Sequence, residues 1–148
     1  MHPKLDKKLC ADFPLLYGDR NGNMQNTCMV WGFDCNDGWY QLIYDLSSKL
    51  EPLIKMYLET ATKEEAEYYP RAMQVKEKFG TLRFYMTSAT DEMYKLIQEA
   101  EDKSGEICET CGKPGKCRNG GWITCLCDEC SQKRYPEIAV GEDEVPPM

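Results

Sequence analysis

Four cysteines, Cys108, Cys111, Cys127 and Cys130, follow the pattern C-x2-C, fifteen residues, C-x2-C. This spacing limits what the C-terminal part of the chain can become more than any other feature. Two close thiol pairs on successive turns can converge on one tetrahedral Zn²⁺, each sulfur about 2.3 Å from the ion. Four thiolates leave no coordination position open, so the reading is a structural Zn²⁺ and not a catalytic one. Cys-Glu-Thr-Cys-Gly-Lys (108–113) has the form of a zinc knuckle, and Gly112 can take the positive φ needed to fold back after the second cysteine. Cys127-Asp-Glu-Cys130 is expected to lead into a short helix with Asp128 and Glu129 in its first turn, where the dipole favours negative charge. Two disulfides, or a redox Cys-x2-Cys, are the alternatives. The first calls for a secretion signal and the second for a cysteine pair opening a helix after a strand.

Neither context is visible. Met1-His-Pro-Lys-Leu-Asp-Lys-Lys lacks an apolar leader, and no uninterrupted apolar run exceeds a few residues, so the expectation is a cytoplasmic protein with no membrane span. Nine cysteines, an odd number, suit a reducing compartment. Among the spare thiols, Cys10, Cys28 and Cys35 are expected to be small buried residues, since no close pair anchors a second metal site with His2. Cys117 lies between the two pairs. Cys125 stands two residues before Cys127, and strand alternation would put both on one side, making Cys125 a competitor for the metal.

Length allows one domain, or one domain with an attached zinc subdomain, and a 42% hydrophobic fraction can build a core. A net charge of −7 argues against a general nucleic-acid binder. The charge is uneven, however. Arg71, Lys76, Lys78 and Arg83 face only Glu77 in the stretch 71–83, and Lys113, Lys116 and Arg118 add a second basic group. Residues 136–148 are acidic, end in Pro-Pro-Met, and are expected to be a disordered tail.

Residues 1–34 show weak periodicity and read as an irregular N-terminal segment, with a turn at Asp19-Arg-Asn-Gly-Asn (19–23). From Trp39 the pattern is helical: Leu42, Ile43, Leu46, Leu50, Leu53, Ile54, Tyr57 and Leu58 form one apolar stripe, with Asp37 as N-cap and Pro52 expected to kink or divide the helix. Thr62-Lys-Glu-Glu65 has capping-box form. Met73, Val75, Phe79, Leu82, Phe84 and Met86 alternate with Gln74, Lys76, Lys78, Arg83 and Tyr85, which predicts a β-hairpin turning near Gly80. Thr90 and Asp91 then open a helix with Met93, Leu96, Ile97 and Ala100 inward, closed by Lys103-Ser-Gly105. The expected architecture is α+β: core helices with a β-hairpin in residues 35–105, and a C-terminal four-cysteine zinc ribbon in 106–135.

Asp37-Gly-Trp39, Gln74-Val-Lys-Glu-Lys-Phe-Gly-Thr-Leu-Arg-Phe-Tyr85, and Cys108-Glu-Thr-Cys-Gly-Lys-Pro-Gly115 with Gly121-Trp122 before Cys127 together resemble a family of small proteins from bacteriophages and bacterial genomes. The resemblance spans residues 33–131. Where family members end the zinc motif in Cys-x2-His, this chain has Cys130, which keeps four ligands. The resemblance implies a phage or prophage accessory protein acting on host machinery or host defence, and it supplies no catalytic residues.

The residues themselves give little sign of catalysis. His2, the single histidine, sits in a segment expected to be mobile, which removes a Ser-His or Cys-His nucleophile pair. Glu77, between Lys76 and Lys78, reads first as a member of a hairpin salt bridge and only weakly as a ligand in a metal-dependent phosphodiesterase. There is no P-loop, GxGxxG or HExxH. The expected function is therefore non-enzymatic binding of a host protein. The alternative is a sponge for small nucleotides or a nucleic-acid adaptor, with Lys76, Lys78, Arg83 and Tyr85 on the hairpin, and Arg118 and Trp122 from the zinc loop, holding phosphate and base. Against that stands a solvated strand face, with Trp122 packed over the zinc site.

Overall fold

A computed structural model describes residues 1–119 and 122–134. Gly121 and the acidic tail 136–148 lie outside them. In chain order the elements are α1 (Pro3–Asp12), β1 (Phe33–Asp34), α2 (Tyr40–Glu59), α3 (Lys63–Glu67), β2 (Ala72–Lys78), β3 (Thr81–Met86), α4 (Asp91–Ser104), β4 (Lys116–Asn119), β5 (Ile123–Leu126) and α5 (Asp128–Arg134). The fold is α+β, with a three-stranded sheet β1-β2-β3 and a separate β4-β5 ribbon.

The stripe that starts at Trp39 becomes the central helix α2. Trp39, Ile43, Leu50 and Ile54 are wholly shielded and pack with Met93, Ile97 and Ala100 of α4. Each such aliphatic side chain is worth about 1.5–3 kcal/mol on burial. Two expectations about this helix are corrected. Asp37 does not cap it: a 3-10 turn, Asp37–Trp39, precedes α2, and the Asp37 carboxylate instead accepts the His2 amide at 2.7 Å. Pro52 does not divide it either, for α2 runs unbroken through that position. Pro52 and Ser48, whose carbonyl loses its amide partner, both lie on the exposed face, where water can serve that carbonyl.

The hairpin forms where the alternation predicts it, with Val75 opposite Phe84 and Lys76 opposite Arg83. Val75, Leu82, Phe84 and Met86 are buried. Met73, expected on that face, is turned outward by a register shift between Ala72 and Gln74, and the buried Ala72 stands opposite Met86 instead. Phe79 (φ 55°) and Gly80 (φ 85°) both take left-handed backbone at the tip, the conformation of a two-residue type I′ turn. Glu77 lies on the opposite face from its neighbours Lys76 and Lys78 and makes no ion pair with them. Its carboxylate accepts the Gly80 amide at 2.8 Å and so braces the turn.

The free edge of β3 is covered by α4. Its outward amides at Leu82 and Phe84 donate to Ser104 Oγ at 2.8 Å and Glu101 Oε2 at 2.9 Å, which blunts a strand edge open to other chains.

Residues 1–34 are not irregular throughout, because they open with α1. Leu9, Phe13, Leu16, Tyr17, Met29 and Phe33 all enter the main core, and β1 adds a parallel strand beside β2. His2 is held as well, its Nδ1 accepting the Lys4 amide at 3.1 Å as the N-cap of α1. The turn at 19–23 forms as expected and is pinned by the ion pair of Asp19 with Arg71 at 2.8 Å. Among the described residues no helix is long and apolar enough to cross a membrane.

Candidate metal centre

The first thiol pair sits on a tightly closed loop. The Cys108 amide donates to the Lys113 carbonyl at 2.7 Å, and the Gly112 amide donates back to the Cys108 carbonyl at 2.9 Å. Gly112 takes φ +84°, as the reversal requires. The second pair follows β5. That strand ends at Leu126, so Cys127 begins the turn into α5, and the Cys130 amide reaches back to Cys127 Sγ at 3.4 Å. Asp128 and Glu129 occupy the first turn of α5, as the sequence predicts.

These two loops bring the sulfurs of Cys108, Cys111, Cys127 and Cys130 within 4.8 Å of one another, with Cys111 and Cys127 at 3.6 Å. Tetrahedral sulfurs at about 2.3 Å from a metal are about 3.8 Å apart, so the cluster is already close to ligating geometry. Burial works against the Cys108 thiolate. The amides of Cys111, Cys127 and Thr110 outweigh it and bring that thiol down to about 7, whereas Cys130, hydrogen-bonded to Cys127 and shielded, is pushed up to about 12. A bound dication is what would hold all four deprotonated.

The ring of groups outside the sulfurs joins this loop to the core. Gly38 donates its amide to the Glu109 carbonyl at 2.7 Å, and Trp39 Nε1 donates to the Ile107 carbonyl at 2.9 Å. Glu109, between the first two cysteines, is buried and accepts the Asn36 amide at 3.0 Å, while burial holds its carboxyl above the usual range. These contacts explain the Asp37-Gly-Trp39 block as a docking element. A Cβ at position 38 would run into the carbonyls of Cys108 and Glu109. Gly38→Ala is therefore expected to cost about 1–3 kcal/mol through overpacking and to weaken metal retention against a competing chelator. Unchanged metal affinity in this variant would show that the two parts are not coupled.

Several expected members of the site are elsewhere. Cys125 does not compete with the four: it belongs to β5, its side chain enters the main core, and Cys127 lies beyond the strand end where alternation no longer applies. Arg118 is not free to bind a ligand. Its Nε donates to the Leu126 carbonyl at 3.1 Å and it pairs with Asp128 at 2.7 Å, lowering that carboxyl and clasping β4 to α5. Trp122 does not pack over the sulfurs. It is 66% exposed and stands beside Phe79 and Ile123. Lys76, Lys78, Arg83 and Tyr85 do share one face of the hairpin, as the alternation predicts.

The spare thiols separate by exposure. Cys10, Cys35 and Cys125 are shielded to different degrees, and burial pushes the first two up to about 12 and Cys125 to about 11. Cys28 and Cys117, by contrast, are exposed, so the expectation that Cys28 is buried is corrected. Brief alkylation of the metal-loaded protein is thus expected to give adducts at Cys28 and Cys117, with the four clustered cysteines added only after chelation. Rapid native labelling of Cys35 or Cys125 would contradict the packing described. No model of a known protein family, no curated protein and no solved structure matches the chain.

Proposed function

We propose that the protein is a small binding protein without a catalytic centre, whose four-cysteine cluster holds a structural Zn²⁺. The observation that carries this reading is the convergence of four thiol sulfurs within 4.8 Å. An all-sulfur tetrahedral set suits Zn²⁺ and leaves it no open position for substrate. A phosphodiesterase built on Glu77 gains no support. That carboxylate is engaged by the Gly80 amide, and among the described residues the cysteines are the only group of His, Cys, Asp or Glu able to hold a metal.

The partner in this reading is a protein. Phe79 is a bulky residue held at positive φ, a conformation that costs on the order of 1–3 kcal/mol, yet the residue is 65% exposed. With Trp122 it borders a cleft of about 450 Å³ that also involves Glu77, Lys78 and Ile123. Two exposed rings over a shallow apolar cleft are what an anchored protein interface uses. The resemblance to phage and bacterial-genome proteins supports a phage-encoded protein that docks on a host or host-defence protein in the host cytoplasm.

Native mass spectrometry of the untagged protein, followed by capture from host lysate, tests both halves. One Zn²⁺ per chain and a stoichiometric protein partner are expected. Phe79→Asn suits the left-handed turn, so it should stabilise the free protein by about 0.5–1 kcal/mol while weakening capture. Absence of metal, or capture indifferent to both Phe79→Asn and Trp122→Ala, would overturn the proposal.

A further inference from the structure

We propose that the open face of the three-stranded sheet, which shares Lys78 with the cleft beside Phe79, is a second binding site, for a nucleotide carrying two or more phosphates. Lys76 and Arg83 are direct cross-strand partners and therefore project from the same face. Like charges placed opposite each other in a sheet repel, and a fold normally relieves this with a nearby acid. Here none does. Among the described residues Lys76, Lys78 and Arg83 make no ion pair, although the chain carries a net charge of −7. Arg83 Nε is moreover shielded from water with no hydrogen-bond partner. Two cations opposed across the strands are a cost that an anion bound on this face would reduce.

The rest of the face supplies the other half of a nucleotide site. Gln74 is opposite Tyr85, one step along from the Lys76–Arg83 pair. Gln74 also lines a cleft of about 340 Å³ with Trp31 and Asp34, and Trp31 is 71% exposed. From Gln74 to Lys78 the strand covers about 13 Å, enough for a base at the aromatic end and two phosphates at the cationic end. Tyr85 and Trp31 offer rings for stacking, and the Gln74 amide can both donate to and accept from a base edge. Asp34, the register partner of Lys76, shares the face without an ion pair. It disfavours phosphate beside β1 and so directs the anion toward Arg83 and Lys78. The acidic surface elsewhere repels a long polyanion, which favours a compact ligand over a nucleic-acid strand.

Calorimetric titration of the metal-loaded full chain with ADP tests the site, with AMP, adenosine, pyrophosphate and oligothymidylate as comparisons. ADP is expected to bind one per chain, more tightly than AMP or adenosine, and less tightly as salt rises. Lys76→Gln and Arg83→Gln should each raise its Kd about tenfold. Because it removes one of the opposed cations, Lys76→Gln should at the same time raise the Tm of the ligand-free protein by about 1–2 °C; a residue needed only for structure would lower it. No ADP binding at millimolar concentration, binding indifferent to both variants, or tighter binding of oligothymidylate would overturn the proposal. Bound ADP recovered as AMP would uphold the site while overturning the non-catalytic reading of the protein.

Discussion

Chelation is expected to release the ribbon and leave the α+β core folded. The main core draws on α1, α2, α4 and the sheet, from Leu9 to Ala100, and takes in Cys125 from β5, whereas the buried cluster around the sulfurs consists of Cys108, Leu126, Cys127 and Cys130. Three of those four belong to the proposed metal-binding set. Leu126 is thus the one aliphatic residue in that cluster, far too little to hold two strands and a short helix. Metal coordination in small sites of this kind supplies free energy on the order of 10 kcal/mol, which would be the main source of order in 108–134.

Native-state hydrogen exchange, with and without a strong chelator, reads this directly. Amides of β4, β5 and α5 should lose protection after chelation, while those of α2 and of the β2–β3 pair keep it. Cys108→Ser should reproduce the effect without chelator, and thiol reductants should not, as expected where metal ligation rather than disulfide bonding holds the loops. Protection of the ribbon that survives metal removal would mean that the contacts of Gly38, Trp39 and Glu109 suffice on their own, and the structural role given to the metal would fall.

How much of the fold is legible in the chain depends on whether a signal is local. α2 and α4 announce themselves because their apolar residues recur at helical spacing over many turns, and the capping box at Thr62 forms as its spacing predicts, with Glu65 returning a 2.8 Å bond to the Thr62 amide. The knuckle is equally local: two cysteines, a glycine and a short loop fix its geometry. β1 is invisible to such reading, since a strand of two residues is defined by its pairing with Val75 and Lys76, some forty positions away. α1 escapes it because Leu9 is its only fully buried residue, so it shows no stripe, and the helix is held instead by the residues C-terminal to it, Phe13, Leu16 and Tyr17. At the site, spacing identifies the four cysteines that converge, whereas Cys125 is misplaced by extending strand alternation past the end of the strand. Cationic side chains are recognisable in the sequence without their partners, which is why Arg118, tied to Asp128, and Arg83, with no ion pair, look alike there.

Glu51 marks the sharpest limit of periodic reading, and its removal should be the most damaging single change in the core. It lies on the buried side of α2, next to Leu50 and one turn beyond Ser47, at positions where a polar residue in sequence reads as solvent-facing. The residue is 4% exposed, and its carboxylate accepts the Leu16 amide at 2.8 Å through one oxygen and the Leu15 amide at 3.1 Å through the other. Ser47 accompanies it, exchanging a 2.6 Å hydrogen bond with the Tyr17 hydroxyl, and Tyr69 donates to the Leu15 carbonyl at 2.7 Å. The segment after α1 therefore docks on the helix through polar groups that satisfy its backbone, and this is what lets Leu16 and Tyr17 enter the core. Glu51→Ala strands two amides away from water and leaves a void, a combination expected to cost about 3–5 kcal/mol. For a chain of this size that is a fall in Tm of about 8–15 °C, measurable by thermal denaturation. Glu51→Gln keeps one acceptor but turns an NH2 toward the other amide, so it should fall between Glu51→Ala and the parent. If Glu51→Ala melts within a degree or two of the parent, the segment 13–17 is not held by this carboxylate, and the N-terminal part of the chain is joined to the core by apolar contact alone.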